Sequence, residues 1–298
     1  MADVWGWFAD PLEFEFMQRA LLAVALVGIV SAVVGAFVVV RGMAFIGDAL
    51  AHASFAGVAA AFTLGVSIYL GAVVAAVATA LGITFISQRG RLRFDTTIGV
   101  LFVGAFALGV VIVSRQENYT VDLFSFVFGN VLGVSWADLW LMAALGAVVV
   151  TLVAAFYKEL LFIAYDSTVA AASGIPTRPL EYGLLSLVAV STVVALQAVG
   201  IVLVIAMLVT PAATATLLVR RLHHVIFVGV GVALVSSVTG LYVSYHAEVA
   251  TGATIVLVAT SLFGAALLLA PRRGVVARWR QAGRQADLDP SQLEQTAP

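Results

Sequence analysis

The sequence predicts an all-α, polytopic integral membrane protein, and three observations carry that prediction. Of its 298 residues, 62% are hydrophobic and only 10% charged, where a soluble domain carries about 25% charged residues. Mean hydropathy is +1.10, so water is the wrong solvent for most of this surface. Apolar runs of roughly 20 residues, enough to cross about 30 Å of hydrocarbon as a helix, recur from Phe16 almost to Ala270.

Taken in order, the apolar segments lie near residues 17–40, 43–64, 66–87, 96–114, 136–156, 180–198, 199–219, 224–245 and 252–270. That is about nine spans. Basic residues gather between alternate pairs of segments: Arg41; Arg89, Arg91 and Arg93; Lys158 and Arg178; Arg220 and Arg221; Arg272 and Arg273. Lys and Arg in short loops mark the cytoplasmic side. This orientation puts the N-terminus and the connection from Arg115 to Ser135 outside. Gly and Ala crowd the segments, and small residues let helix backbones approach closely in lipid.

The first segment is preceded by an acidic, aromatic stretch, Trp5 to Phe16. A basic n-region with a short apolar core and cleavage site is not seen there, so no signal peptide is expected. Residues 1–270 read as one transmembrane unit. Residues 271–298 turn basic and then acidic and read as a polar cytoplasmic tail, disordered or lying on the surface, whose arginines could meet anionic lipid headgroups. No nucleic-acid partner is expected.

Two whole classes of chemistry are excluded. The chain has no cysteine, which removes disulfides, thiolate metal sites and cysteine nucleophiles, and leaves any metal to Asp, Glu, His or backbone oxygen. Its single lysine, Lys158, has no G-x-x-x-x-G before it, so a P-loop cannot form. Energy for any active process must come from another subunit or an ion gradient.

Within the apolar segments the clear ionisable exceptions are Asp48 and His52. Such residues are costly in a membrane and mark functional sites. At i and i+4 both project from one helix face, about 6 Å apart in rise, so one cation could touch both. A helical count from Arg41 puts them roughly 10 to 17 Å deep. The alternative is a buried Asp–His hydrogen bond that locks helices together. Gly47, Ala49, Ala51, Ala53 and Gly57 flank the pair and offer close approach to another helix, so two copies pairing there would build a cage of two Asp and two His. Nitrogen and oxygen donors suit zinc, manganese or ferrous iron.

A second feature is the stretch Asp166 to Arg178. Asp-Ser-Thr offers a helix N-cap, and Gly174 followed by Pro176 offers a stop. A short helix outside the membrane there is either a plain connector or a helix presented to a partner's groove. His223 and His224 beside Arg220 and Arg221, and His246 with Glu248, read as solvated boundary residues, with external metal capture as a lesser role.

The run Arg41-Gly42-Met43-Ala44-Phe45-Ile46-Gly47-Asp48-Ala49-Leu50-Ala51-His52-Ala53 resembles the signature of metal-ion ABC transporter permeases of the zinc, manganese and iron uptake family. The likeness continues through Asp95-Thr96-Thr97-Ile98-Gly99, Asp122-Leu123-Phe124-Ser125 with Phe128-Gly129, Val199-Gly200-Ile201 to Pro211-Ala212-Ala213-Thr214, and Ser244-Tyr245 to Gly252-Ala253-Thr254-Ile255-Val256. The resemblance implies a permease of the bacterial cytoplasmic membrane that works as a pair, with a second copy or a similar permease. It also implies a cytoplasmic ATPase dimer and an extracytoplasmic metal-binding protein. By position it makes Asp48 and His52 the metal ligands, and Asp166, Gly174, Ile175 and Pro176 part of the segment coupled to the ATPase. The metal is then a transported divalent ion, and no cofactor is held permanently. The sequence departs from the family near the last span, where Glu248-Val249-Ala250-Thr251-Gly252 stands in place of an Asp-x-Pro-Ser-Gly-like run.

Rival readings share the physical features. An ion-coupled secondary carrier would use Asp48 as a proton relay. An aspartyl intramembrane protease would use Asp48 and Asp166, but Asp166 falls outside the bilayer. A metalloprotease lacks its motif, because Ala53-Ser54-Phe55-Ala56 follows His52. In a membrane scaffold the Asp–His pair would be structural.

Overall fold

A computed structural model describes residues 10–90, 92–115, 129 and 131–270. The tail 271–298, the Asp122–Ser125 motif with Phe128, and Arg91, Arg272 and Arg273 lie outside the described residues, as do residues 5–9 of the N-terminal acidic stretch.

Among the described residues every long element is a helix. The helices are α1 (Glu15–Val40), α2 (Ile46–Leu64), α3 (Ile68–Arg89), α4 (Phe94–Val113), α5 (Trp136–Ala155), α6 (Tyr157–Tyr165), α7 (Ser167–Ala172), α8 (Thr177–Leu218), α9 (Leu222–Ala247) and α10 (Thr251–Leu269). They supply nine stretches long and apolar enough to span a bilayer, two of them within α8.

Gly200 divides α8. Its φ of 73° and ψ of 171° are not helical and lie where a side chain is strained and glycine is not. Leu184, Leu185, Val188 and Val193 share a buried cluster with Leu208 and Ala215. Val194, Leu196 and Val199 share a second cluster with Leu203, Val204 and Met207. The intervening residues join one cluster and the flanking residues the other, so the chain doubles back at Gly200. The arms are Thr177–Leu196 and Val199–Leu218.

Helix α1 runs through the middle of the bundle. It is apolar all round and 72% of its spanning stretch is buried, the pattern of a helix enclosed by others. Helices α8 and α9 pack along it, whereas α3, α4, α5 and α10 are less than one-third buried.

Polar contacts gather at opposite ends. At one end Arg41 Nη2 lies 2.7 Å from Glu181 Oε1, and Gln88 Nε2 donates to Glu181 Oε2 at 2.8 Å. At the other, Tyr69 donates to Asp138 at 2.9 Å and Trp136 Nε1 to Glu15 at 2.8 Å. The first group is the side the arginine pattern assigns to the cytoplasm, and the second the side it assigns to the exterior.

Candidate functional site

The approach to α2 is a tight turn. Gly42 takes φ +69°, and the N–H groups of Gly42 and Met43 donate back to Val39 and Val38 at 3.1 and 3.0 Å. This paired bonding through a left-handed residue ends α1. Helical rise therefore resumes only at Ile46, and Asp48 falls in the first turn of α2. The depth counted on a continuous helix from Arg41 is corrected by this turn: residues 41–45 change the chain's direction and add no helical rise. A carboxylate in a first helical turn is favoured by the backbone dipoles there.

One turn on, His52 completes the pair. Its Nδ1 lies 2.9 Å from Asp48 Oδ1 and 3.0 Å from the Asp48 carbonyl oxygen. From α4, Phe102 and Phe106 meet the imidazole edge to face, at centroid distances of 5.2 and 5.6 Å. Phe55 rests against Phe106 at 5.6 Å. The aromatic walls fix the ring plane, while Asp48 and His52 keep 31% and 27% side-chain exposure. The pair is held, yet open on one side.

The arrangement suits a cation in two ways. Oxygen and nitrogen ligands bound side by side at about 2.1 Å from one ion stand about 3 Å apart, which is the separation seen here. An ion between them would take the place of the Nδ1 hydrogen, leaving the ring's hydrogen on Nε2. Alternatively the ion would sit on Nε2, with the carboxylate orienting the ring from behind. Among the described residues no group of three or more His, Asp or Glu converges. Two donors from one chain are fewer than the four or more a divalent ion takes, so water or another chain must complete the shell. The His223 and His224 rings lie tilted against each other with centroids 4.1 Å apart at the start of α9, and neither they nor His246 and Glu248 gather with the Asp–His pair into such a group.

The small residues beside the pair have a different use from the one their sequence suggests. A Cβ on Gly47 would run into Leu208 of α8, and one on Gly57 would overlap the backbone of Gly71 in α3. Ala49, Ala51 and Ala53 are buried. The flanks of α2 on either side of the pair are covered by the chain's own helices, because tight backbone approach is what holds helices together where lipid gives no hydrophobic force.

The segment Asp166 to Arg178 folds as its residues suggest. Asp166 Oδ1 accepts from the N–H groups of Thr168 and Val169, both at 2.9 Å, capping α7. Gly174, at φ +82°, ends it, and the Ile175 N–H donates to Ala170 at 3.1 Å. Pro176 then opens α8. Five of the six α7 residues are exposed, Ala170 alone being buried.

Sequence reasoning missed Phe102, Phe106, Gln88 and Glu181. For the two phenylalanines no signal existed, since aromatics are ordinary in an apolar span. Glu181 was legible as an acid just inside the segment expected at 180–198.

A bundle of bilayer-length helices, with a carboxylate and an imidazole paired on a half-open seam, defines a multi-pass membrane protein. The chain belongs to the ABC 3 transport family, which it matches over residues 13–270, and is a multi-pass permease of that class. It is 42% identical to the manganese transport system membrane protein MntC of Halalkalibacterium halodurans, over 97% of this chain and 99% of that one. It is 34% identical to the chelated iron transport system membrane protein YfeD of Yersinia pestis, over 87% of each. The solved structure of PsaBC from Streptococcus pneumoniae in complex with Fab superposes with a TM-score of 0.82 at 36% identity, over 94% of this chain and 99% of that one.

Proposed function

We propose that this chain is the membrane-spanning permease of an ATP-driven importer of a divalent transition metal, manganous or ferrous ion before zinc. The observation that carries the reading is the 2.9 Å Asp48–His52 pair, walled by Phe102 and Phe106 and open on one side. Names of relatives that carry manganese and iron support the choice of cargo.

Asp48 and His52 hold the ion, and a second permease supplies further ligands. Moving the two permeases apart would halve the ligand set and release the ion inward. The exposed helix α7, capped by Asp166 and ended by Gly174, Ile175 and Pro176, docks on a cytoplasmic ATPase dimer as a helix fits a groove. An extracytoplasmic metal-binding protein delivers the ion in a bacterial cytoplasmic membrane. The metal crosses without chemical change.

The test is uptake of manganese, iron and zinc into proteoliposomes holding the permease and its ATPase, with and without ATP. ATP-dependent uptake of manganese or iron is expected, falling about 100-fold in Asp48→Asn and His52→Ala. Uptake untouched by either substitution would remove the pair as the site. Uptake that persists without ATP would make the protein a secondary carrier.

A further inference from the structure

Three chain segments far apart in sequence meet on one carboxylate. Glu181 lies in the first turns of α8, four residues after Thr177 opens that helix. Its Oε1 takes a charge-assisted bond from Arg41 Nη2 at 2.7 Å, and its Oε2 accepts from Gln88 Nε2 at 2.8 Å. Arg41 is the C-cap of α1 and the first residue of the turn that leads into α2. Gln88 lies at the end of α3, beside Arg89, whose guanidinium sits 4.5 Å over the Phe85 ring.

Both members of the ion pair are largely enclosed, at 15% and 20% side-chain exposure. Enclosed pairs contribute little net stability against an apolar replacement but fix one geometry, because a separated charge is poorly solvated. Arg41 is moreover incompletely satisfied. Its Nη1 is buried and has no hydrogen-bond partner among the described residues. The guanidinium therefore has a donor ready for a different position of its acceptor.

The pair joins two functional ends. Upstream of Glu181, residues 173–176 are the short link from α7, so a displacement of α7 reaches Glu181 through one rigid helix start. Downstream of Arg41, the turn 41–45 delivers Asp48 within seven residues. We propose that Arg41 and Glu181, steadied by Gln88, are positioning residues that transmit movement of α7 to the Asp48–His52 pair, so that nucleotide hydrolysis and metal release stay in step. The inference rests on the ATP-driven reading above.

Manganous ion uptake and ATP hydrolysis are measured together in proteoliposomes holding permease and ATPase. Wild type, Glu181→Ala, Arg41→Ala and the reciprocal Arg41→Glu with Glu181→Arg double variant are compared. The single variants are expected to lower manganese moved per ATP hydrolysed about fivefold or more, with hydrolysis sustained, and the double variant to recover part of the ratio. Only size-exclusion-isolated permease–ATPase complexes are reconstituted, and hydrolysis is counted above that of the ATPase alone, so a merely structural role gives parallel losses of uptake and hydrolysis at an unchanged ratio. That result would overturn the proposal. ATP-independent uptake by the wild type would instead overturn the transport reading, and the pair's role with it, on a different sample.

Discussion

Helices α1 and α4 are both strongly apolar, with span hydropathies of 2.8 and 2.5, and differ in what surrounds them. Of the α1 spanning stretch 72% is buried, of α4 only 17%. In water such a difference would be written in the residues, because one face must be polar. In a bilayer lipid is as apolar as a protein core, so hydropathy marks which segments span and stays silent on which are enclosed. The Asp48–His52 pair lies on the seam between these regimes, on well-buried α2 against phenylalanines of exposed α4. Under the proposed function, an ion there would gain rigid ligands from the packed side and access from the open side.

The contrast is tested most severely at the α2–α3 contact. Gly57→Leu places a side chain against the Gly71 backbone and is expected to cost about 3 kcal/mol, the upper part of the range for overpacking. Detergent-titrated unfolding of the purified permease measures it, and an unchanged midpoint would show that the helices can part at no expense.

A smaller effect is expected at the seam. Phe106→Ala removes one aromatic wall of His52 and leaves both metal donors, so manganese affinity by calorimetry should weaken about threefold to tenfold, an aromatic contact being worth about 0.5–1.5 kcal/mol. Unaltered affinity would mean that Phe102 alone orients the ring.

Smallest is the outer face. Val103 is 59% exposed, and Val103→Ala should shift stability by less than about 0.5 kcal/mol and leave association of the two permeases unchanged on size-exclusion chromatography. Loss of pairing would place a protein partner against α4 and sharpen the contrast into one between two kinds of neighbour.

The same asymmetry decides what the residues disclosed in advance. The nine spans and the α7 boundaries were legible, because bilayer thickness sets the length of a span and Asp166, Gly174 and Pro176 are local backbone signals. The Asp48–His52 spacing was legible because ionisable groups stand out in an apolar run. Hidden were the contacts that need distance to be bridged. The Arg41–Glu181 bond spans 140 positions, and whether Gly57 faces a neighbour in its own chain or in a second copy is settled by topology alone. The turn at residues 41–45 was masked because Gly42 is its single strong punctuation mark, and one glycine among many in such a sequence carries little weight.

The reversal at Gly200 bears on how the chain enters its membrane. Between the arms, Leu196-Gln197-Ala198-Val199-Gly200 contains no charge, so almost nothing hydrophilic has to be carried across. The arms can therefore enter as one preassembled unit, with the leading arm screening the trailing one. The connection from Arg115 to Ser135 contains Arg115, Glu117 and Asp122, and on the orientation that the arginine pattern predicts it is the costlier stretch to carry across. A biosynthetic arrest far enough beyond Leu218 for the second arm to have left the ribosome should find both α8 arms seated together, an order of assembly set by the cheapest stretch of chain to translocate.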